Sequence, residues 1–282
     1  MQRRHRLAHL LSRGVVAAVS QGMMLSGLYP LLPHAYRAWQ ARAAGAAPAA
    51  SRADRPGTGG VKAAVIEWAV AALLSAARPL GFAALPGARG AGPRPIILVH
   101  GYAMSRAGFL LLAHRLAAAG LGPVYGFEYW SLGRTAVAAR QLGWFVDQVR
   151  AATGAAEVDL VGHSMGGVVA RYYVALAGGD PHVAHLITLG SPHAGTDVSR
   201  MGVGHASREL VLGSSFVARL AAAPAPLHAT ITRIGSRADA LVPHAQQPLL
   251  AGAEDLVFDD LGHVALMASR RVAAAVIARL RR

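Results

Sequence analysis

Val158-Asp159-Leu160-Val161-Gly162-His163-Ser164-Met165-Gly166-Gly167-Val168-Val169-Ala170-Arg171-Tyr172-Tyr173 is the stretch from which the rest of the chain is best read. Val158 to Val161 is a short apolar run of the kind buried inside a parallel sheet, and Gly167 to Ala177 reads as a helix. Between them, Gly162-His163-Ser164-Met165-Gly166 sets a serine on a turn too close for bulky neighbours, and the glycines on either side permit it. The Ser164 hydroxyl is therefore expected above the strand ends, backed by the free N–H groups and positive dipole end of the helix that follows. A lone G-x-S-x-G arises by chance; the strand before it and the helix after it give this one meaning.

Outward from this turn the same alternation repeats. Strands are expected at Ile96 to Val99, Pro123 to Tyr129, His185 to Leu189, Thr230 to Ile234 and Asp255 to Phe258, with helices at Leu111 to Ala119, Arg140 to Ala152 and Ser269 to Leu280. Short apolar strands alternating with helices imply an α/β domain, a mostly parallel sheet with helices on both faces, over residues 91–282.

A serine hydroxyl is a weak nucleophile at neutral pH, so a histidine must take its proton and a carboxylate must orient that histidine. In a strand–turn–helix context of this kind the chain order is serine, acid, histidine. His263 lies between the last strand and the terminal helix, in Leu261-Gly262-His263, and is the expected base, with His244 as its rival. His100, His163 and His193 read as structural, and His182 and His185 flank a strand away from the site. Asp239, after strand Thr230 to Ile234, is the expected acid; Asp255 begins a strand, and Asp259 and Asp260 stand too close to His263 in sequence. Oxyanion donors are expected at the backbone N–H of Met165, which follows the nucleophile, and of Tyr102, in the loop His100-Gly101-Tyr102.

Several pieces together carry a family resemblance: Pro95 to Tyr102, the turn around Ser164, Leu186-Ile187-Thr188-Leu189-Gly190-Ser191-Pro192-His193-Ala194-Gly195-Thr196, Ser236 to Asp239, and Leu261 to His263. The chain resembles bacterial triacylglycerol lipases and esterases of the α/β-hydrolase superfamily over about residues 95–280. The resemblance implies that fold, a Ser164–His263–Asp239 triad, oxyanion donors Tyr102 and Met165, and no cofactor or metal for the chemistry. It implies cleavage of carboxylic esters, most naturally lipids. An acyltransferase or thioesterase would share the triad, and a catalytically silent membrane-tethered binding protein could use the same scaffold. Some secreted lipases of this kind hold calcium and a disulfide; no calcium ligands are assignable here, and with no cysteine a disulfide is ruled out.

The first 90 residues have no counterpart in those motifs and are read from composition. Arg3, Arg4, Arg6 and Arg13 precede an apolar stretch from Gly14 to Pro33, the pattern of a signal peptide, signal anchor or membrane-associated helix spanning 1–43. Residues 44–60, rich in Ala, Gly, Pro, Ser and Thr, read as a flexible linker. Residues 61–90 hold an apolar helix and a connector; Lys62 and Glu67 would be costly in lipid, which favours packing on the catalytic domain over a second membrane segment. The expected placement is membrane-associated or exported, at the inner membrane or periplasm, with a soluble cytoplasmic protein as the alternative. Hydrophobic residues make up 54% of the chain, which excludes a disordered polypeptide. The net charge of +14 comes from dispersed arginine and carries no nucleic-acid-binding motif. Oligomeric state is not encoded in any motif. Segment 196–226, with Leu210, Leu212, Phe216 and Leu220, reads as a lid or acyl-binding wall, or as a plain surface insertion.

Overall fold

The computed structural model describes residues 92–225 and 227–282, together with positions 65, 67, 69, 70, 72 and 73 of a helical segment ahead of them. The expected anchor at 1–43 and linker at 44–60 lie outside the described residues. Among the described residues no helix is long and apolar enough to cross a membrane.

Six strands form one sheet: β1 (Ile96–Val99), β2 (Val124–Phe127), β3 (Val158–His163), β4 (Val183–Leu189), β5 (Thr230–Ser236) and β6 (Glu254–Phe258). Their order is β2-β1-β3-β4-β5-β6, and every neighbouring pair is parallel. All the loops that leave strand C-terminal ends therefore gather along one edge of the sheet, where open α/β folds place their ligands.

The sheet is covered on both sides, and strand periodicity shows how. In β1, Ile97 and Val99 enter one core with the helices α2 (Thr135–Thr153) and α3 (Met165–Leu176). Ile96 and Leu98 point the other way, into a second core with α1 (Leu110–Ala118) and the terminal helix α7 (Arg270–Leu280). Alternate side chains of a strand face opposite sides, so a fully apolar strand such as Ile-Ile-Leu-Val requires burial on both. In α2 the buried positions Thr135, Ala138, Ala139, Leu142, Val146 and Val149 recur every three to four residues, the spacing of one helix face.

Two features depart from the expected elements. Helix α2 begins at Thr135, a turn and more before Arg140, because the Thr135 N–H donates to Glu209 Oε2 at 2.7 Å. That acceptor is distant in sequence and supplies what no local cap does. Segment 196–226 holds two short helices, α4 (Gly204–Glu209) and α5 (Ser215–Ala221). Leu210, Phe216, Val217 and Leu220 are buried in the α2/α3 core, so these apolar residues are structural packing rather than the lining of a free lid, and Leu212 alone among the leucines of the segment is exposed. A last short helix, α6 (Ala265–Ala268), follows the loop that carries His263.

Candidate active site

The turn after β3 is built by close contacts. Ser164 sits at φ 54°, ψ −127°, a region costing on the order of 1–3 kcal/mol for a residue with a Cβ. Its N–H donates to Leu189 O at 2.8 Å, and Gly167 N–H donates back to Ser164 O at 3.0 Å, fixing both sides of the strained residue. A Cβ at Gly166 would lie 2.0 Å from Val99 O, and one at Gly162 would lie 2.5 Å from Gly167 Cα. Only glycine lets helix α3 start this close to β1 and β3. Met165 opens that helix and its N–H has no acceptor within it.

The loop after β1 runs beside this turn. A Cβ on Gly101 would stand 3.0 Å from Ser164 Cβ, so the glycine allows the backbone before Tyr102 to pass against the serine. Ala103 has φ 53°; among the described residues it and Ser164 are the two non-glycine positions with positive φ. Backbone strain thus gathers where the two expected oxyanion donors stand. The strained peptide is held by Ala103 N–H donating to Ser131 Oγ at 2.9 Å. The Tyr102 hydroxyl donates to Val203 O at 2.7 Å and accepts from Val203 N–H at 2.8 Å, which ties the loop to segment 196–226. His100 stacks on Tyr129, whose hydroxyl donates to His100 O at 2.7 Å, and His100 Nε2 lies 3.0 Å from Glu128 Oε1. Burial pushes the Tyr129 phenol well up, so it stays a donor.

Asp239 and His263 meet below the same edge. His263 Nδ1 lies 2.7 Å from Asp239 Oδ2, with both residues buried. The other oxygen, Oδ1, accepts from Leu241 N–H at 2.9 Å and Val242 N–H at 2.8 Å. Backbone amides that fill one oxygen keep the other aimed at the imidazole. Burial opposes the charged imidazole at His263, but Asp239 and then Glu67 more than offset it, and its pKa is raised above the ordinary value. Gly190, which follows the carbonyl that Ser164 bonds, lets β4 pass under the pair: a Cβ there would be 3.1 Å from Asp239 Oδ2 and 3.2 Å from His263 Nδ1. His163, next to the serine, has Nε2 3.0 Å from His263 O, so it carries the proton there and donates to the carbonyl. Burial and the neighbouring His263 hold the His163 pKa well below the usual histidine range, leaving it neutral.

The rival residues are engaged elsewhere. His244 Nε2 lies 3.2 Å from Asp255 Oδ2, in a cluster with Arg233 that ties β5 to β6. Asp259 pairs with Arg237 and Asp260 with Arg271, both at the surface. His185 pairs with Asp159, which also holds Arg94, and His193 lies against Thr188. Among the described residues, no three His, Asp or Glu side chains are grouped so as to hold a metal ion.

Residues 137–204 match the model of a PGAP1-like alpha/beta domain. The whole domain resembles the mature lipase BlEst2 of Bacillus licheniformis, with a TM-score of 0.61 at 17% identity, covering 67% of this chain and 92% of that one. The chain has the α/β-hydrolase fold. A second solved structure, Aspergillus fumigatus lipase B, gives a TM-score of 0.60 at 14% identity over 70% of this chain and 54% of the other. In sequence, a triacylglycerol lipase of Pseudarthrobacter phenanthrenivorans is 49% identical over 57 residues, which is 20% of this chain and only 17% of that lipase.

Three supports of the candidate site have little or no local signal in the sequence. Ser131 and the Glu128–Tyr129 pair lie just past β2 and show no local pattern. Glu67 belongs to the apolar segment ahead of the domain, where its one legible signal is a carboxylate in a mostly apolar stretch.

Proposed function

We propose that this protein is a hydrolase that cleaves carboxylic esters of apolar acyl groups through Ser164, His263 and Asp239. The observation that carries the reading is the buried hydrogen bond between His263 and Asp239 at the strand ends where a strained serine begins helix α3. His263 Nδ1–H is committed to Asp239, which leaves Nε2 as the unprotonated nitrogen able to take a proton. Ser164 Oγ attacks the ester carbonyl as its proton passes to His263; the carbonyl oxygen becomes an oxyanion received by the N–H groups of Met165 and Tyr102. His263 then protonates the departing alkoxide, leaving an acyl-enzyme. Water attacks that ester with His263 again as base, and the acid leaves as Ser164 regains its proton.

The lipase names of the similar proteins support acyl esters, lipids among them, as the substrate class. The basic and apolar start of the chain supports a membrane-associated or exported enzyme. Hydrolysis of p-nitrophenyl esters from acetate to palmitate tests the reading. Turnover that Ser164→Ala abolishes is expected, with the chain-length profile defining the acyl preference. Activity unchanged in Ser164→Ala would overturn it, and transfer to an added alcohol or thiol in preference to water would redirect it to acyl transfer.

A further inference from the structure

Glu67 is 4% exposed, although it is a carboxylate in a segment of mostly apolar composition. A buried carboxylate is tolerated only where hydrogen bonds replace its lost hydration. Here Glu67 Oε1 accepts from Val264 N–H at 2.7 Å and Oε2 from Ala265 N–H at 2.9 Å, across 197 and 198 residues of sequence. Val264 and Ala265 are the two residues directly after His263.

On the preceding side, a Cβ on Gly262 would stand 2.3 Å from Glu67 Oε2 and 2.5 Å from its Cδ. Gly262 therefore leaves the space that the carboxylate fills. The backbone around His263 is gripped at three points: its carbonyl by His163 Nε2, its ring by Asp239, and the next two amides by Glu67.

We propose that Glu67, carried in from the N-terminal helical segment, is a positioning residue for the ester hydrolysis assigned above. It holds the 262–265 turn so that the His263 ring stays in place, and it sets a second negative charge beside the imidazolium that forms when Ser164 is deprotonated. The inference rests on the assignment of His263 as base.

Among the described residues, the charged and titratable groups facing His263 are Asp239 from the loop after β5, His163 from the end of β3, and Glu67. His163 is neutral, and both carboxylates raise the His263 pKa, Asp239 first and Glu67 second. Asp260, in the same loop, is exposed and paired with Arg271. Both carboxylates favour the protonated imidazole, so removing the charge of Glu67 lowers the pKa of His263. Activity needs the neutral base, and the acid limb of kcat/KM must then move to lower pH.

The test compares full-length wild type, Glu67→Gln, Glu67→Asp and Gly262→Ala. The readouts are the pH profile of kcat/KM on a p-nitrophenyl ester, the rate of fluorophosphonate labelling, and Tm. Gln keeps one acceptor but loses the charge and turns an NH2 towards the second amide. We expect a fall in kcat on the order of tenfold, slower labelling and an acid limb displaced to lower pH. Glu67→Asp should keep the limb near its wild-type position. Gly262→Ala, whose methyl displaces the carboxylate, should move the limb as Gln does, and it decides the question if the Gln variant does not fold. A limb that coincides with wild type in the folded variants, with activity falling only in step with Tm, overturns the proposal. If instead wild type is not labelled at Ser164, the hydrolase reading itself fails, whatever the Glu67 variants do.

Discussion

Replacing Asp239 by Asn probes the site through hydrogen-bond direction alone. Oδ1 of Asp239 accepts two backbone N–H groups, from Leu241 and Val242, and an amide nitrogen can accept neither. The Asn carbonyl must therefore take that position, which turns its NH2 towards His263 Nδ1, now 2.7 Å from Oδ2. Faced with a donor, His263 must accept at Nδ1 and carry its proton on Nε2, the wrong tautomer to receive a proton from Ser164. The same exchange in serine proteases costs about 10⁴-fold in kcat, so a loss of about 10³–10⁴, or roughly 4–5.5 kcal/mol of transition-state stabilisation, is expected. Because both backbone hydrogen bonds survive, Tm should change little. Asp239→Ala makes the contrast, since it leaves two buried amides without their acceptor at about 1–3 kcal/mol each and should lower Tm as well. Turnover of p-nitrophenyl butyrate and a thermal melt read both quantities. A folded Asp239→Asn enzyme within tenfold of wild-type kcat would refute the reasoning.

Other expected outcomes follow from neighbouring contacts. His244→Ala should keep kcat within about threefold of wild type, because His244 engages Asp255 and not the acid of the site; a loss of a hundredfold would transfer the base to it. Gly166→Ala sets a methyl against Val99 O and His100 O, backbone atoms that cannot swing aside. Overpacking of this kind costs about 1–3 kcal/mol or more, and a Tm drop on the order of 5–10 °C is expected by calorimetry. Wild-type kcat/KM should fall as pH drops through the pKa of His263, with the midpoint above that of an ordinary histidine; a midpoint below it would contradict the influence of Asp239 and Glu67.

What could be read from sequence was local. Strand β3, the glycine-flanked serine and helix α3 are contiguous, and each is specified by residues within a few positions of it. The strand count and two-sided burial followed from short apolar runs, since a strand buried on both faces has to be apolar throughout. Asp239 and His263 were singled out by chain order, and the structure joins them by a hydrogen bond. The features that stayed hidden are those supplied from a distance. Glu209 starts helix α2 early, Ser131 holds the peptide of Ala103, and Glu67 reaches the turn after His263 from a segment whose apolar composition could mean either packing or a membrane. Segment 196–226 was ambiguous for a related reason: the same leucines and phenylalanine suit a lid or a core, and only packing tells them apart.

Reaction of the purified, folded protein with a fluorophosphonate, followed by mass spectrometry of wild type and Ser164→Ala, tests the central claim most directly. Phosphonylation of wild type at Ser164 alone, absent from the variant, is the predicted result, because only a serine whose proton can be drawn away by His263 should attack the phosphorus. Folded wild type that takes up no label, or a variant labelled as fully as wild type, would contradict the account.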